Sequence, residues 1–126
     1  MITKSTIPIR SYAKLNLNLY IWRPDTISGL HPIESEFQTI NVYDTLQVIR
    51  IPDKVCHITC THPDVPTDTK NLISKVYSVF EPDLSHGFNI HIEKNIPMGG
   101  GLGGGSSNAA KMIEICNHHL PVPFSY

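Results

Sequence analysis

The chain has 126 residues, 40% of them hydrophobic and 17% charged, with a formal net charge of −1. That length limits it to one domain. The near-neutral balance removes the electrostatic case for a nucleic-acid or anionic-membrane partner, and no apolar run approaches the roughly 18 residues of a membrane span. The opening "MITKSTIPIR" lacks the apolar core of a secretory signal, and three cysteines outside any paired framework suit a reducing cytoplasm.

In chain order, "YAKLNLNLYI" alternates strictly. Leu15, Leu17, Leu19 and Ile21 take one side and Lys14, Asn16, Asn18 and Tyr20 the other, which predicts a half-buried strand. "RPDTISGLHP" reads as a loop. "FQTINV" and "TLQVIRI" read as two strands around a turn at Tyr43-Asp44. "VCHITC" alternates again, with Cys56, Ile58 and Cys60 on its apolar side. After the loop "THPDVPTDTK", Leu72, Ile73, Val76, Val79 and Phe80 recur at helical spacing, with Asp68 or Thr69 as the expected N-cap. "EPDLSHG" ends that helix. "FNIHIEK" puts Phe88, Ile90 and Ile92 on one face of a strand. Ala109, Met112, Ile113, Cys116 and Leu120 mark a second helix, which "PVPF" stops. The whole is an α+β pattern.

Between the last strand and the last helix lies "NIPMGGGLGGGSSNAAKM". Six of the seven residues from Gly99 to Gly105 are glycine, out of eight in the chain. Each raises the entropy cost of ordering the segment. A helix N-terminus offers free backbone N–H groups and a positive dipole end, and a bare backbone leading into it can close around an anion. Ser106 and Ser107 stand where the helix is expected to begin. One can cap it while the other offers a hydroxyl to phosphate or Mg²⁺. The chemistry this implies is polyphosphate binding.

Gly99, Gly101 and Gly104 satisfy the dinucleotide fingerprint, but its acidic partner about 20 residues on is missing, since Glu114 comes too early and within the helix. Gly100 to Ser107 has P-loop spacing, yet Ser106 occupies the lysine position. A flexible linker does not fit between a period-2 strand and an amphipathic helix. Cys56, His57, Cys60 and His62 do not make a zinc set, because the alternation points the cysteines and His57 opposite ways. His118 and His119 read as surface residues favoured by the helix C-terminus.

"PMGGGLGGGSSNAA" resembles the phosphate loop of the GHMP small-molecule kinases. The triple glycines and Asn108 are most similar to the branch that phosphorylates 4-diphosphocytidyl-2-C-methyl-D-erythritol in non-mevalonate isoprenoid synthesis. "YAKLNLNL" is similar to that family's P-A-K-[IL]-N-L-x-L motif, with Tyr12 replacing proline. "SGLHPIESEFQTINVYDTL" resembles its G-Y-H segment and following Asp-Thr, with Leu30 replacing the aromatic. "DTKNLISKV" is similar to its Asn-Leu-[IV] helix start.

The resemblance implies the N-terminal ATP-binding domain of that fold over residues 1–126, and ATP with Mg²⁺ as cofactors. It implies Lys14 as the catalytic cation. Pro97, Met98, Gly99, Gly100, Gly101, Leu102, Gly103, Gly104, Gly105, Ser106 and Ser107 would form the phosphate cradle, with Ser106 and Ser107 near Mg²⁺. Asn71 and Lys94 would lie near adenine, and Asn16 and His31 at the cytidyl substrate. The family's base aspartate, in a G-x-D-[VI]-P context, matches none of the eleven acidic residues. The expectation is a fragment that is a poor kinase alone and leaves apolar surface uncovered. Another GHMP kinase acting on a different alcohol, or a non-catalytic nucleotide-binding module, stays open as an alternative.

Overall fold

A computed structural model of the chain describes residues 8–125; residues 1–7, read above for a targeting signal, and residue 126 lie outside the described part. The elements are β1 (Ile9–Asn16), β2 (Tyr20–Ile21), β3 (Ile33–Glu34), β4 (Phe37–Ile51), β5 (Cys56–Cys60), α1 (Leu72–Phe80), β6 (Gly87–Glu93) and α2 (Gly104–His119), with a 3₁₀ turn at Glu81–Asp83.

Four strands form one sheet in the order β1-β4-β6-β5. β4 runs antiparallel to both β1 and β6, whereas β5 and β6 are parallel and joined through α1. The α+β expectation holds. The period-2 pattern of β6 is realised directly: Phe88, Ile90 and Ile92 are buried beneath the helices with Leu46, Ile58, Ile73, Tyr77, Met112 and Cys116. Burying each large side chain of this kind contributes about 1.5–3 kcal/mol. Cys56 and Cys60 pack against this core while His57 is exposed, as the alternation implied.

Several expectations need correction. The expected turn at Tyr43-Asp44 does not exist; β4 runs through it as one strand of 15 residues. Asp is a poor strand former, and Asp44 is tolerated because its buried carboxylate is fully bonded. The expected strand from Tyr12 to Ile21 is split into β1 and β2, and Leu15, Leu17, Leu19 and Ile21 are all exposed. β1 is an edge strand, and beyond Asn16 the chain leaves the sheet for a separate two-stranded hairpin, β2 with β3.

Asn71, not Asp68 or Thr69, caps α1, its Oδ1 accepting from the Ile73 N–H. Asp68 accepts instead from the Lys70 N–H one turn earlier. Neither serine caps α2; the N-cap is Gly103 in the left-handed region. On α2, Ile115 is buried where Ile113 was expected to be. His119 is not a free surface residue, because its Nδ1 lies 3.1 Å from Nε2 of buried His86.

Candidate active site

The glycine loop is pinned at two points. At its start, Asp44 Oδ1 accepts from the Asn95 and Ile96 N–H groups, each at 2.8 Å. In its middle, the Leu102 carbonyl accepts from the Lys14 N–H at 3.0 Å. That donor is free because the β1–β4 register shifts between Tyr12 and Lys14. Such an irregularity at a sheet edge re-aims the backbone and the side chain it carries.

Gly99, Gly101 and Gly103 have φ of 71°, 70° and 70°, values that cost an L side chain roughly 1–2 kcal/mol. Gly104 is needed for a different reason. A Cβ there would come within 2.7 Å of Lys94 Nζ and 3.1 Å of Ile96 Cγ2. The chain therefore enters α2 with its backbone against Lys94 and its first N–H groups lacking intrahelical acceptors; the Ser107 N–H is the first to return, to the Gly103 carbonyl.

Lys14 sits over this loop. Its Nζ donates to the Gly101 carbonyl at 2.8 Å and to Asn16 Oδ1, leaving one N–H of its three for another acceptor. The same ammonium lies 5.0 Å from the centre of the Phe37 ring. Asn16 Nδ2 in turn donates to Ser35 Oγ, which ties Lys14 and Asn16 to the base of the β2–β3 hairpin. Lys14, Asn16 and the loop thus form one connected group. His31 stands apart on that hairpin, exposed, with its Nδ1 2.8 Å from the Trp22 carbonyl oxygen.

On the other flank of the loop, a groove of about 250 Å³ is lined by residues that include Asn71, Lys94, Met98, Gly99, Gly105 and Asn108. It brings together the two ends of the expected nucleotide set. Asn71 contributes with part of its amide already used, because Nδ2 also donates to the Pro66 carbonyl at 2.7 Å. Lys94 is no solvated strand end: Nζ is 2.6 Å from Asp44 Oδ2, with the two side chains 6% and 0% exposed.

Ser106 is exposed at the loop, whereas the Ser107 hydroxyl lies 2.8 Å from Ser11 Oγ. Ser11, fully buried, also bonds Asn108 Oδ1 at 2.8 Å. Asp44, Ser11 and Asn108 are thus site-supporting residues that the sequence reading missed as such. The available signal was an aspartate unaccompanied by glycine or proline inside a run of good strand formers.

Comparison with known proteins agrees with this geometry. Residues 71–126 match the family model described as GHMP kinases N terminal domain. The chain is 41% identical over 113 residues to a 4-diphosphocytidyl-2-C-methyl-D-erythritol kinase of Clostridium botulinum (strain Eklund 17B / Type B), covering 86% of this chain and 39% of the relative. It is 39% identical to the kinase of that name from Chlorobium chlorochromatii, covering 86% and 38%. A crystal structure of 4-(cytidine 5'-diphospho)-2C-methyl-D-erythritol kinase superposes with a TM-score of 0.74 at 26% identity, over 94% of this chain and 42% of that one. A homoserine kinase from Cytophaga hutchinsonii shares the fold, with a TM-score of 0.66 at 19% identity over 99% and 38%. The chain spans about two fifths of the length of the curated relatives it matches. Motif, fold and relatives agree in matching this chain to the N-terminal domain of the GHMP kinases.

Proposed function

We propose that residues 1–126 are the ATP-binding domain of a cytoplasmic kinase that phosphorylates the 2-hydroxyl of 4-diphosphocytidyl-2-C-methyl-D-erythritol, for isoprenoid precursor synthesis. The observation that carries this reading is the glycine loop. Three left-handed glycines deliver free backbone amides to the N-terminus of α2, beside a groove and under a lysine. Anions are favoured at such a place by both the N–H groups and the dipole.

In this reading Pro97 to Ser107 cradle the triphosphate. Lys14 turns its remaining N–H to the transferred phosphoryl group, where a fixed cation offsets charge as it develops. Asn71 and Lys94 flank the base, and Asn16 and His31 face the acceptor. The donor set at the loop fits Mg²⁺ in part. Exposed Ser106 offers a hydroxyl oxygen, and Ser107 offers an oxygen already engaged with Ser11, so phosphate and water would complete a shell that Mg²⁺ commonly fills that way. When bound, Mg²⁺ would supply charge neutralisation at the phosphates. Among the described residues no carboxylate forms an ion pair with Lys14.

The test is calorimetry followed by turnover. The chain should bind ATP with Mg²⁺ and transfer phosphoryl to the cytidyl substrate at close to background rate. With the C-terminal portion of a relative supplied, turnover on the cytidyl compound should exceed that on homoserine or mevalonate. An absence of ATP binding would sink the reading. A preference for homoserine or mevalonate would leave the family but change the acceptor. ATP binding that never leads to turnover, and that Lys14→Ala leaves intact, would favour a non-catalytic module.

A further inference from the structure

Lys94 borders the groove, yet its ammonium is not free. Asp44 holds it from the middle of β4, and the same carboxylate takes the Asn95 and Ile96 amides. One buried acid therefore gathers three donors from three consecutive residues, those that lead from the end of β6 into the glycine loop. The Lys94 ammonium also sits where a Cβ on Gly104 would be. The stretch 94–96 is thus clamped from below by Asp44 and from above by the first turn of α2.

We infer that Asp44 is a positioning residue for the nucleotide groove, and that Lys94 serves as its internal counter-ion instead of as a phosphate-binding cation. This rests on the kinase reading of the loop. Two physical points support it. A lysine with 6% of its side chain exposed and a carboxylate at 2.6 Å has its charge neutralised locally, so little of it reaches an anion at the loop. A free ammonium beneath a helix N-terminus would also be repelled by that end of the dipole. The carboxylate cancels this and lets the Lys94 ammonium sit against the Gly104 backbone. The groove wall is then set by backbone that Asp44 anchors, and the phosphate cradle begins at Pro97 with its direction already fixed.

Asp44→Asn separates the two roles. The amide oxygen can still accept from Asn95 and Ile96, but its NH₂ opposes the Lys94 ammonium, donor against donor. The lysine must leave, and the 94–96 stretch moves with it. In calorimetric titrations of the full chain, ATP and inorganic tripolyphosphate should both bind Asp44→Asn at least tenfold more weakly than wild type. Adding Lys94→Met removes the stranded charge. The double variant should bind ATP more tightly than Asp44→Asn alone and melt at a higher temperature.

A phosphate-binding Lys94 predicts the reverse, since its removal would weaken ATP and tripolyphosphate further. That reversal would overturn the inference. So would unchanged affinity in Asp44→Asn, tighter tripolyphosphate binding by it, or a double variant that fails to fold. If Asp44→Asn alone does not fold, the double variant carries the comparison: folded with ATP binding retained supports the inference, and folded with binding lost overturns it. A wild-type chain that binds neither ATP nor tripolyphosphate would overturn the kinase reading together with this one.

Discussion

The two ends of β4 sit in different worlds. Its second half runs beside β6 under two helices, where Leu46, Phe88, Ile90 and Ile92 are sealed from water and Asp44 is fully bonded. Its first half begins at Phe37, 61% exposed, beside a hairpin whose Leu19, Ile21, Trp22 and Ile33 are each half or more in solvent. The composition of the two regions is similar, but the cover is not. The nucleotide side of the candidate site is built on packing this chain supplies itself. The proposed acceptor side, with His31 on the hairpin and Asn16 bonded to its base, is held by a few exposed hydrogen bonds. Binding of ATP and recognition of the acceptor should therefore respond differently to the same perturbation.

The largest effect belongs to the sealed end. Phe88 has no exposed surface and meets Tyr77, His86 and His119 edge-on. Phe88→Ala should cost about 3–5 kcal/mol, a large share of what a domain of this size has to lose. Urea unfolding followed by circular dichroism would measure it. A loss under 1 kcal/mol would mean that the core is not centred on β6.

Next come the loop glycines. Alanine at Gly99 or Gly101 meets open space, so only the left-handed φ opposes it, whereas at Gly103 a Cβ also approaches the Lys14 stem at 3.3 Å. Each substitution should cost about 1–2 kcal/mol in holding the bound loop shape, read as roughly five- to thirtyfold weaker ATP binding. Gly103→Ala should be the worst of the three. Equal and negligible effects would show that the amides of the loop do not hold the nucleotide.

A third effect needs no mutation. His86 and His119 share a short contact beside Phe88, with His118 and Arg50 nearby. Burial lowers the pKa of both, and for His119 the neighbouring His86, His118 and Arg50 lower it further. A histidine with a depressed folded pKa prefers to bind its proton in the unfolded chain. Stability should thus be full above about pH 6.5, the unperturbed value, and fall as pH drops below it. The urea midpoint at pH 5 should be lower than at pH 7.5, and His86→Phe should flatten the dependence. A midpoint that rises on acidification would contradict the burial of this pair.

The sheet face and the loop were readable because they depend on local pattern: period-2 apolar residues in β6, and a glycine run that leads into a helix. What could not be read depends on partners far along the chain. Asp44 looks like a turn residue until Lys94, fifty positions away, supplies its charge partner. Asn71 looks free for a base edge until Pro66 and Ile73 claim part of its amide. The alternation from Leu15 to Ile21 promised a buried face, but alternation states only that one side is apolar. Whether enough lies against that side to bury it is decided by tertiary packing, and here Leu15, Leu17, Leu19 and Ile21 stay 43%, 62%, 50% and 65% exposed.

That uncovered side gives the smallest effect on folding and the sharpest contrast with Phe88. Leu19 and Ile21 are 50% and 65% exposed, so replacing both with serine should change stability by no more than about 0.5 kcal/mol. Exposed apolar residues clustered on one hairpin favour association of copies through that surface. Sedimentation velocity at rising concentration should show the wild-type chain self-associating and Leu19→Ser/Ile21→Ser shifted toward monomer, with ATP affinity unchanged. If the double substitution instead lowered stability as much as Phe88→Ala, the hairpin would be part of the core in solution and the contrast between the two ends of β4 would fail. If it left association untouched, the sticky surface would lie elsewhere, and the exposed face of Ile49 on the same strand would be the next place to substitute.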